Sequence, residues 1–257
     1  TLITLGSISL SPFPAEYVNI AGGFLRGLFG TVDVGGKSAD IFTLVFFALA
    51  MFAFVYLQLR SRAGKVRYNQ PVESMLLFIF KMAAVAAVVL WLGWTLSTAR
   101  GLPIVLIILV TLIVIYTVVT TRTTFGRAAY AIGGNRAAAE LSGVPVRRTN
   151  FLMFVNNGFL VAVAGIVFSS RSNAAQPAAG NGFELDAIAA CFIGGAAVSG
   201  GIGTIGGAMI GGLIMGVMSN GMQLLNIEQP YQQVVRGLVL LLAVAFDVYN
   251  KRRAVSR

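Results

Sequence analysis

The chain has 257 residues, 57% hydrophobic and only 11% charged, whereas a soluble domain of this length carries about 25% charged residues, so lipid is the solvent for much of it. Its net charge of +10 does not point to nucleic acid, because the basic residues gather in short stretches flanking apolar runs, with few aromatics among them. The chain has no histidine and one cysteine, Cys191, which excludes an internal disulfide, removes the commonest metal ligand and general base, and makes Cys191 a soft packing residue of an apolar segment.

Residues 1–40 read as the end of a span followed by an extracytoplasmic loop. TLITLGSISL has no basic n-region before its apolar stretch, so it is not read as a signal peptide, and it is too short to cross a bilayer alone; further spans are expected before it. The next stretch, SPFPAEYVNIAGGFLRGLFGTVDVGGKSAD, is broken by two prolines and many glycines, and one short amphipathic helix, Tyr17–Phe29, is predicted in it. Its Gly35-Gly36-Lys37-Ser38 resembles the end of a phosphate-binding loop, which needs glycine six positions before the lysine. Position 31 is Thr31, so the spacing fails.

Ile41 to Leu59 is an uncharged run of 19 residues, and Arg60, Arg62, Lys65 and Arg67 place its end on the cytoplasmic side. A return span is predicted from Met75 to Thr98, with Lys81 snorkelling near its inner end and Trp91 and Trp94 towards the outer one. After the Ala99-Arg100-Gly101 turn, Leu102 to Thr121 goes back in, Pro103 being tolerated in the first turn.

That span delivers the chain to a polar loop, residues 122–148, RTTFGRAAYAIGGNRAAAELSGVPVRR, in which five arginines are balanced by the single acid Glu140. This imbalance marks a cytoplasmic surface. Asn135 can cap a helix over RAAAELS, Gly143 suits its C′ position, and Pro145 stops it. A short alanine-rich helix is therefore predicted along the inner membrane face. Such a helix is either a connector that fixes topology or a docking helix whose small side chains, Ala137, Ala138, Ala139 and Ser142, fit a groove of a cytoplasmic partner.

Thr149 to Ser170 crosses outwards, with Asn156 and Asn157 about 10 Å from the inner end. Amides at that depth either bond between helices or line a hydrophilic path. After the polar loop RSNAAQPAAGNGFE, Leu185 to Val198 is short for a span and rich in small residues. Gly201-Ile202-Gly203-Thr204-Ile205-Gly206 fits GxGxxG, yet a dinucleotide site needs a strand before it and an acid about twenty residues on. Helix-like apolar sequence lies on both sides, so this is read as a tight cytoplasmic turn.

From the turn into the next span, Ile205 to Leu225, Gly203, Gly207 and Gly211 recur every four residues, and Ala208, Gly212, Gly216 and Asn220 do the same. Such spacing lets helices pack closely where lipid gives no hydrophobic drive. Asn220 and Gln223 are weaker candidates for a path. The last span, Val234 to Tyr249, carries Arg236 and Asp247 near its ends as interface anchors, and the basic tail 251–257 holds the C-terminus inside. The sum is an all-α integral membrane protein, a polytopic helical bundle of about seven spans forming one transmembrane domain.

GRAAYAIGGNRAAAELSGV resembles the coupling loop of sugar-importer ABC permeases of the ribose and xylose type, and ELDAIAACFIGGAAVSGGIGTIGGAMIGGLIMGVMSNGMQLL is similar to the corresponding later stretch of those permeases. The opening SPFPAEYVNIAGGFL looks closer to the xylose or multiple-sugar branch. The resemblance implies that Gly126, Arg127, Tyr130, Gly133, Gly134, Asn135, Ala138, Ala139, Glu140, Ser142 and Gly143 form the loop gripped by a cytoplasmic ABC ATPase. It further implies a second permease chain, a periplasmic sugar-binding protein and a place in the bacterial inner membrane. ATP and magnesium then belong to the ATPase, this chain holds no cofactor, and it is no enzyme.

Two other classes remain open from the residues alone. An ion-coupled secondary transporter binds its ions near the midplane at broken helices, and this chain offers only neutral amides there. For an intramembrane enzyme, a catalytic constellation is hard to assemble without histidine, with one cysteine and with acids confined to loops and span ends, and a chemically altered product would be its sign.

Overall fold

Apolar runs inside a bilayer become helices because only the helix satisfies their backbone amides and carbonyls within the run. The structure, a computed structural model, describes residues 10–27, 29–34, 37–68, 74–177 and 179–255. Among them, six helices are long and apolar enough to cross a membrane: α2 (Ile41–Arg67), α3 (Met75–Thr98), α4 (Ile104–Arg122), α7 (Val146–Ser172), α9 (Ile205–Leu224) and α10 (Gln229–Val255). Shorter helices are α1 (Ala15–Gly22), α5 (Thr124–Gly134), α6 (Arg136–Leu141) and α8 (Phe183–Ile193). The strands β1 (Phe24–Leu25), β2 (Thr31–Val34), β3 (Lys37–Asp40) and β4 (Leu102–Pro103) form two antiparallel pairs, β1 with β4 and β2 with β3. The chain is thus an all-α polytopic membrane protein. Most large apolar side chains of the long helices face outwards, Leu76 at 82% and Phe154 at 78% exposure, as lipid-facing residues do. The predicted span end at 1–10 lies, except for Leu10, outside the described residues, as do Gly35 and Gly36 of the rejected phosphate loop and the side chains of the basic tail.

The chain forms two units. One comprises Phe13–Ile107 with Ser170–Ser172. Here the predicted helix Tyr17–Phe29 is displaced: α1 ends at Gly22, since Gly23 is extended and any Cβ on it would press against the Asn19 carbonyl oxygen at 2.7 Å. Phe24 and Leu25 then pair with Pro103 and Leu102. Ser170 Oγ fastens α1, accepting from Ala21 N at 3.0 Å and lying 2.9 Å from the carbonyls of Tyr17 and Val18. α2 runs on past Leu59 through its basic cluster, so that the Arg62 guanidinium stands 4.5 Å from the centre of the Phe78 ring of α3. Near the other end of the pair, Phe47 packs directly on Gly93.

Asp40 starts α2. Its buried carboxylate accepts from Thr43 N at 3.0 Å, Thr43 Oγ1 at 2.6 Å and Gly27 N at 2.8 Å. Burial pushes this carboxyl up, but the hydrogen bonds from Thr43 and Gly27 and the charge of Arg26 outweigh it and hold the carboxyl below its ordinary value.

The other unit contains residues 10–12, Ile108–Ser169 and 173–255. Its small core is Ala189 and Ala190 of α8 with Met215 of α9, flanked by Val239 and Leu240 of α10. The predicted crossing Leu185–Val198 is only partly helical: α8 has 11 residues, about 16 Å of rise against a hydrocarbon thickness of about 30 Å. A glycine-rich turn, residues 194–204, follows it. α8 starts beside the far end of α7, with the Phe168 and Phe183 rings 5.2 Å apart, and the turn after it returns to the α5–α6 end. Cys191, read from the sequence as a packing residue, is exposed.

Candidate functional site

The polar loop folds because each of its junctions is capped. Thr123 Oγ1 accepts from Gly126 N at 3.2 Å and donates to Val119 O at 2.6 Å. The α4–α5 corner is so tight that a Cβ on Gly126 would run into the carbonyl oxygens of Val119 and Thr120. Asn135 ends α5 and begins α6: its backbone is extended and its Oδ1 accepts from Ala138 N at 3.1 Å. At the far end Ser142 Oγ donates to Ala138 O at 2.8 Å. Gly143, with φ +80°, closes α6, where Gly143 N donates to Glu140 O and Val144 N to Ala139 O, both at 3.0 Å.

The sequence does not announce α5 as a helix, because Gly126, Gly133 and Gly134 lower its helix propensity. Its faces are nonetheless sorted: Arg127, Ala131 and Gly134 are exposed, whereas Gly126 is buried and Phe125, Tyr130 and Gly133 are half-buried. On α6, Ala139 is buried, while Ala138, Glu140 and Ser142 are exposed and Leu141 is 90% exposed. A leucine presented in this way beside small side chains is an apolar contact point on a polar loop. A shallow cavity of about 600 Å³, lined by Glu140, Val144, Arg147, Arg148 and Phe151 among others, lies next to it.

The inner face of α5 rests on the turn before α9. Tyr130 Oη donates to Gly203 O at 2.8 Å. Gly133 touches the backbone of Gly201, and a Cβ on Gly201 would stand 2.6 Å from Gly134 N. Gly200 and Gly201 have φ of +83° and +76°, so glycine is required there both for backbone conformation and for the approach of α5. Thr204 then caps α9, its Oγ1 accepting from Gly207 N at 3.0 Å. The GxGxxG stretch, read from sequence as a tight turn, is therefore the surface on which the polar loop sits. Asp247 of α10 reaches the same turn, accepting from Val198 N at 3.2 Å.

From this turn, contact continues along α9 and α8. A Cβ on Gly207 would strike the Gly194 carbonyl, and one on Gly211 the Ala190 carbonyl, while Gly203 faces Ala196. Gly212 and Gly216 are placed elsewhere: a Cβ on either meets nothing within 4 Å. With Leu109, Met209 and Asn220 they line an open groove of about 420 Å³.

Of the two midspan amides, Asn156 Oδ1 accepts from Tyr116 Oη, tying α7 to α4, and Asn157 is exposed. Gln223 is exposed and lines a polar cleft at the end opposite the α5–α6 loop. The Arg236 side chain is only 13% exposed, with Nε 3.3 Å from Asp186 Oδ1 of α8. Neither this pair nor the Tyr130–Gly203 bond is visible in the sequence, since nothing in the spacing of the partners signals their contact. Among the described residues, no group of three His, Cys, Asp or Glu side chains is placed to hold a metal.

Residues 20–244 match the family described as branched-chain amino acid transport system / permease component. The xylose transport system permease protein XylH of Escherichia coli is 42% identical over 207 residues, 80% of this chain and 53% of that protein. XylH of Haemophilus influenzae is 39% identical over 226 residues, 87% of this chain and 60% of that protein. The L-arabinose transport system permease protein AraH of Escherichia coli is 47% identical over 152 residues, 59% of this chain and 46% of that protein. The chain thus spans about half the length of the curated relatives it matches. No solved structure matches it.

Proposed function

Since the chain belongs to the permease-component family of the branched-chain amino acid transport system, we propose that it is the membrane-spanning subunit of an ATP-driven importer that carries a monosaccharide, xylose or a similar sugar, into the bacterial cytoplasm. The names of the XylH and AraH relatives support the solute class. The observation that carries the mechanism is the seating of α5 on the turn before α9 through Tyr130, Gly133, Gly201 and Gly203.

In this reading the α5–α6 surface around Gly134, Ala138, Leu141 and Ser142 docks on a cytoplasmic ATPase. Displacement of α5 on ATP binding is passed by direct contact to residues 200–204, and from there to α9 and to α8 packed against it. ATP and magnesium stay on the ATPase; the chain performs no hydrolysis and needs no cofactor. The C-terminus lies in the cytoplasm with the docking loop. A periplasmic binding protein delivers the sugar, and a second permease chain completes a path along which Asn157, Asn220 and Gln223 offer neutral hydrogen-bonding groups, Asn156 being engaged by Tyr116.

The test is uptake of labelled pentoses and hexoses by proteoliposomes holding the complete permease, its ATPase and its binding protein. Uptake that requires enclosed ATP and survives an ionophore supports this reading. Uptake that persists without ATP and collapses with the ionophore would replace it with ion-coupled transport.

A further inference from the structure

At the end of the helices opposite the α5–α6 loop, a cleft of about 460 Å³ opens between the last turns of α7, the loop after it, and the starts of α8 and α10. Six side-chain amides line it: Gln176, Asn181, Gln223, Gln229, Gln232 and Gln233. Gln232 is nearly buried, and its Nε2 donates to Ile227 O at 2.7 Å, which fixes the α9–α10 turn. Phe168 and Phe183 form an edge-to-face pair on one wall, with ring planes at 77°. The lining contains a single charge, Arg236, already facing Asp186 at 3.3 Å.

Each feature narrows the ligand. An amide presents both donor and acceptor, as a hydroxyl does, so a ring of amides matches a solute carrying hydroxyls all round. The paired arginine leaves little net charge for an anion, and no acid in the lining would favour a cation. The two phenyl rings give an apolar wall for the C–H face of a sugar ring. The volume lies within the usual range for small-molecule sites, about 300–1,000 Å³. We propose that this cleft is a monosaccharide-binding site of the permease itself, which receives the neutral sugar before it enters the path. The proposal rests on the transport reading above. Gln229 and Gln233 hold the hydroxyls and Phe183 carries the ring face.

The test uses the complete permease in proteoliposomes, in a Cys191→Ala background, with Gln229→Cys or Gln233→Cys. The rate of labelling by a membrane-impermeant maleimide is measured with and without D-xylose, in the absence of any binding protein. Leu225→Cys serves as control, because Leu225 is well exposed and outside the cleft lining. A weak site with Kd in the tens of millimolar predicts that about 100 mM D-xylose slows labelling at both cleft positions about three- to fivefold and leaves the control unchanged. Equal rates with and without sugar at both cleft positions, or equal slowing at Leu225→Cys, would overturn the site.

ATP-driven uptake by the wild-type complex is measured in parallel. If that complex imports sugar and the cleft is not protected, the site falls and the transport reading stands. If the complex imports no sugar and the cleft is not protected, both fall. A Gln229→Ala, Gln233→Ala double variant adds a functional readout: the concentration of sugar-loaded binding protein needed for half-maximal uptake rises about fivefold. An unaltered half-maximal concentration would contradict a role in transport.

Discussion

The phenol of Tyr130 donates a hydrogen bond to the carbonyl of Gly203 across 73 positions of sequence. It joins the helix that begins the polar loop to the turn that begins α9. Gly133 and Gly201 meet backbone to backbone beside the bond, so the polar loop and this turn are in direct contact.

Removing the hydroxyl tests whether that bond carries motion. Tyr130→Phe keeps the ring and loses about 0.5–1.5 kcal/mol of net hydrogen bonding, so ATP-driven uptake should fall about two- to tenfold while binding of the ATPase is kept. Rates of uptake and co-purification of the ATPase are the two measurements. Equal loss of both would mean that Tyr130 supports only the fold of the loop.

The two glycine registers of α9 should respond differently. Gly211→Ala drives a methyl group into the Ala190 carbonyl, and overpacking of this kind costs about 1–3 kcal/mol. Gly212→Ala meets nothing within 4 Å and should be neutral or slightly stabilising, by up to about 1 kcal/mol. Thermal unfolding of the two variants in detergent separates them.

The Asp186–Arg236 pair is mostly buried, with side chains 25% and 13% exposed. Arg236→Met alone strands a carboxylate between α8 and α10 and should cost about 3 kcal/mol. Arg236→Met with Asp186→Leu removes both charges and should recover most of that loss in the same unfolding measurement.

The hydrogen bonds that Asp40 accepts give stability a pH dependence. Its carboxyl is lower in the folded protein than in the unfolded chain, whose value is about 3.9. Its stabilising contribution is therefore fully present above that value and is lost as pH falls through the lower, folded one. Asp40→Asn should be about 1–3 kcal/mol less stable than wild type at pH 7, and the gap should narrow below about pH 4. Unfolding temperatures across that range check both parts.

Much of the fold is legible in sequence because bilayer spans need long uncharged runs. Met75–Thr98 is helical over the full predicted length, and Asn135 caps α6 as its side chain permits. Where local and tertiary demands diverge, the reading fails. Tyr17–Phe29 has an amphipathic pattern, yet Gly22 and Gly23 end the helix early and release Phe24 and Leu25 to pair with a segment almost eighty positions away. Leu185–Val198 has apolar composition, but its small residues continue into a glycine turn rather than a full helix. The polar loop is readable as a surface, whereas its seat on residues 200–203 is not, because glycine carries no side chain to signal a contact.

The most direct measurement compares wild type with a Gly134→Trp, Ala138→Trp double variant in the complete permease. Both positions are exposed, and a Cβ on Gly134 meets nothing within 4 Å, so bulky rings there would cover the proposed docking face. A variant that inserts normally, fails to recruit the ATPase and takes up no sugar is the predicted result. Recruitment and uptake at wild-type rates would show the loop to be only a connector and would contradict the coupling role given to it.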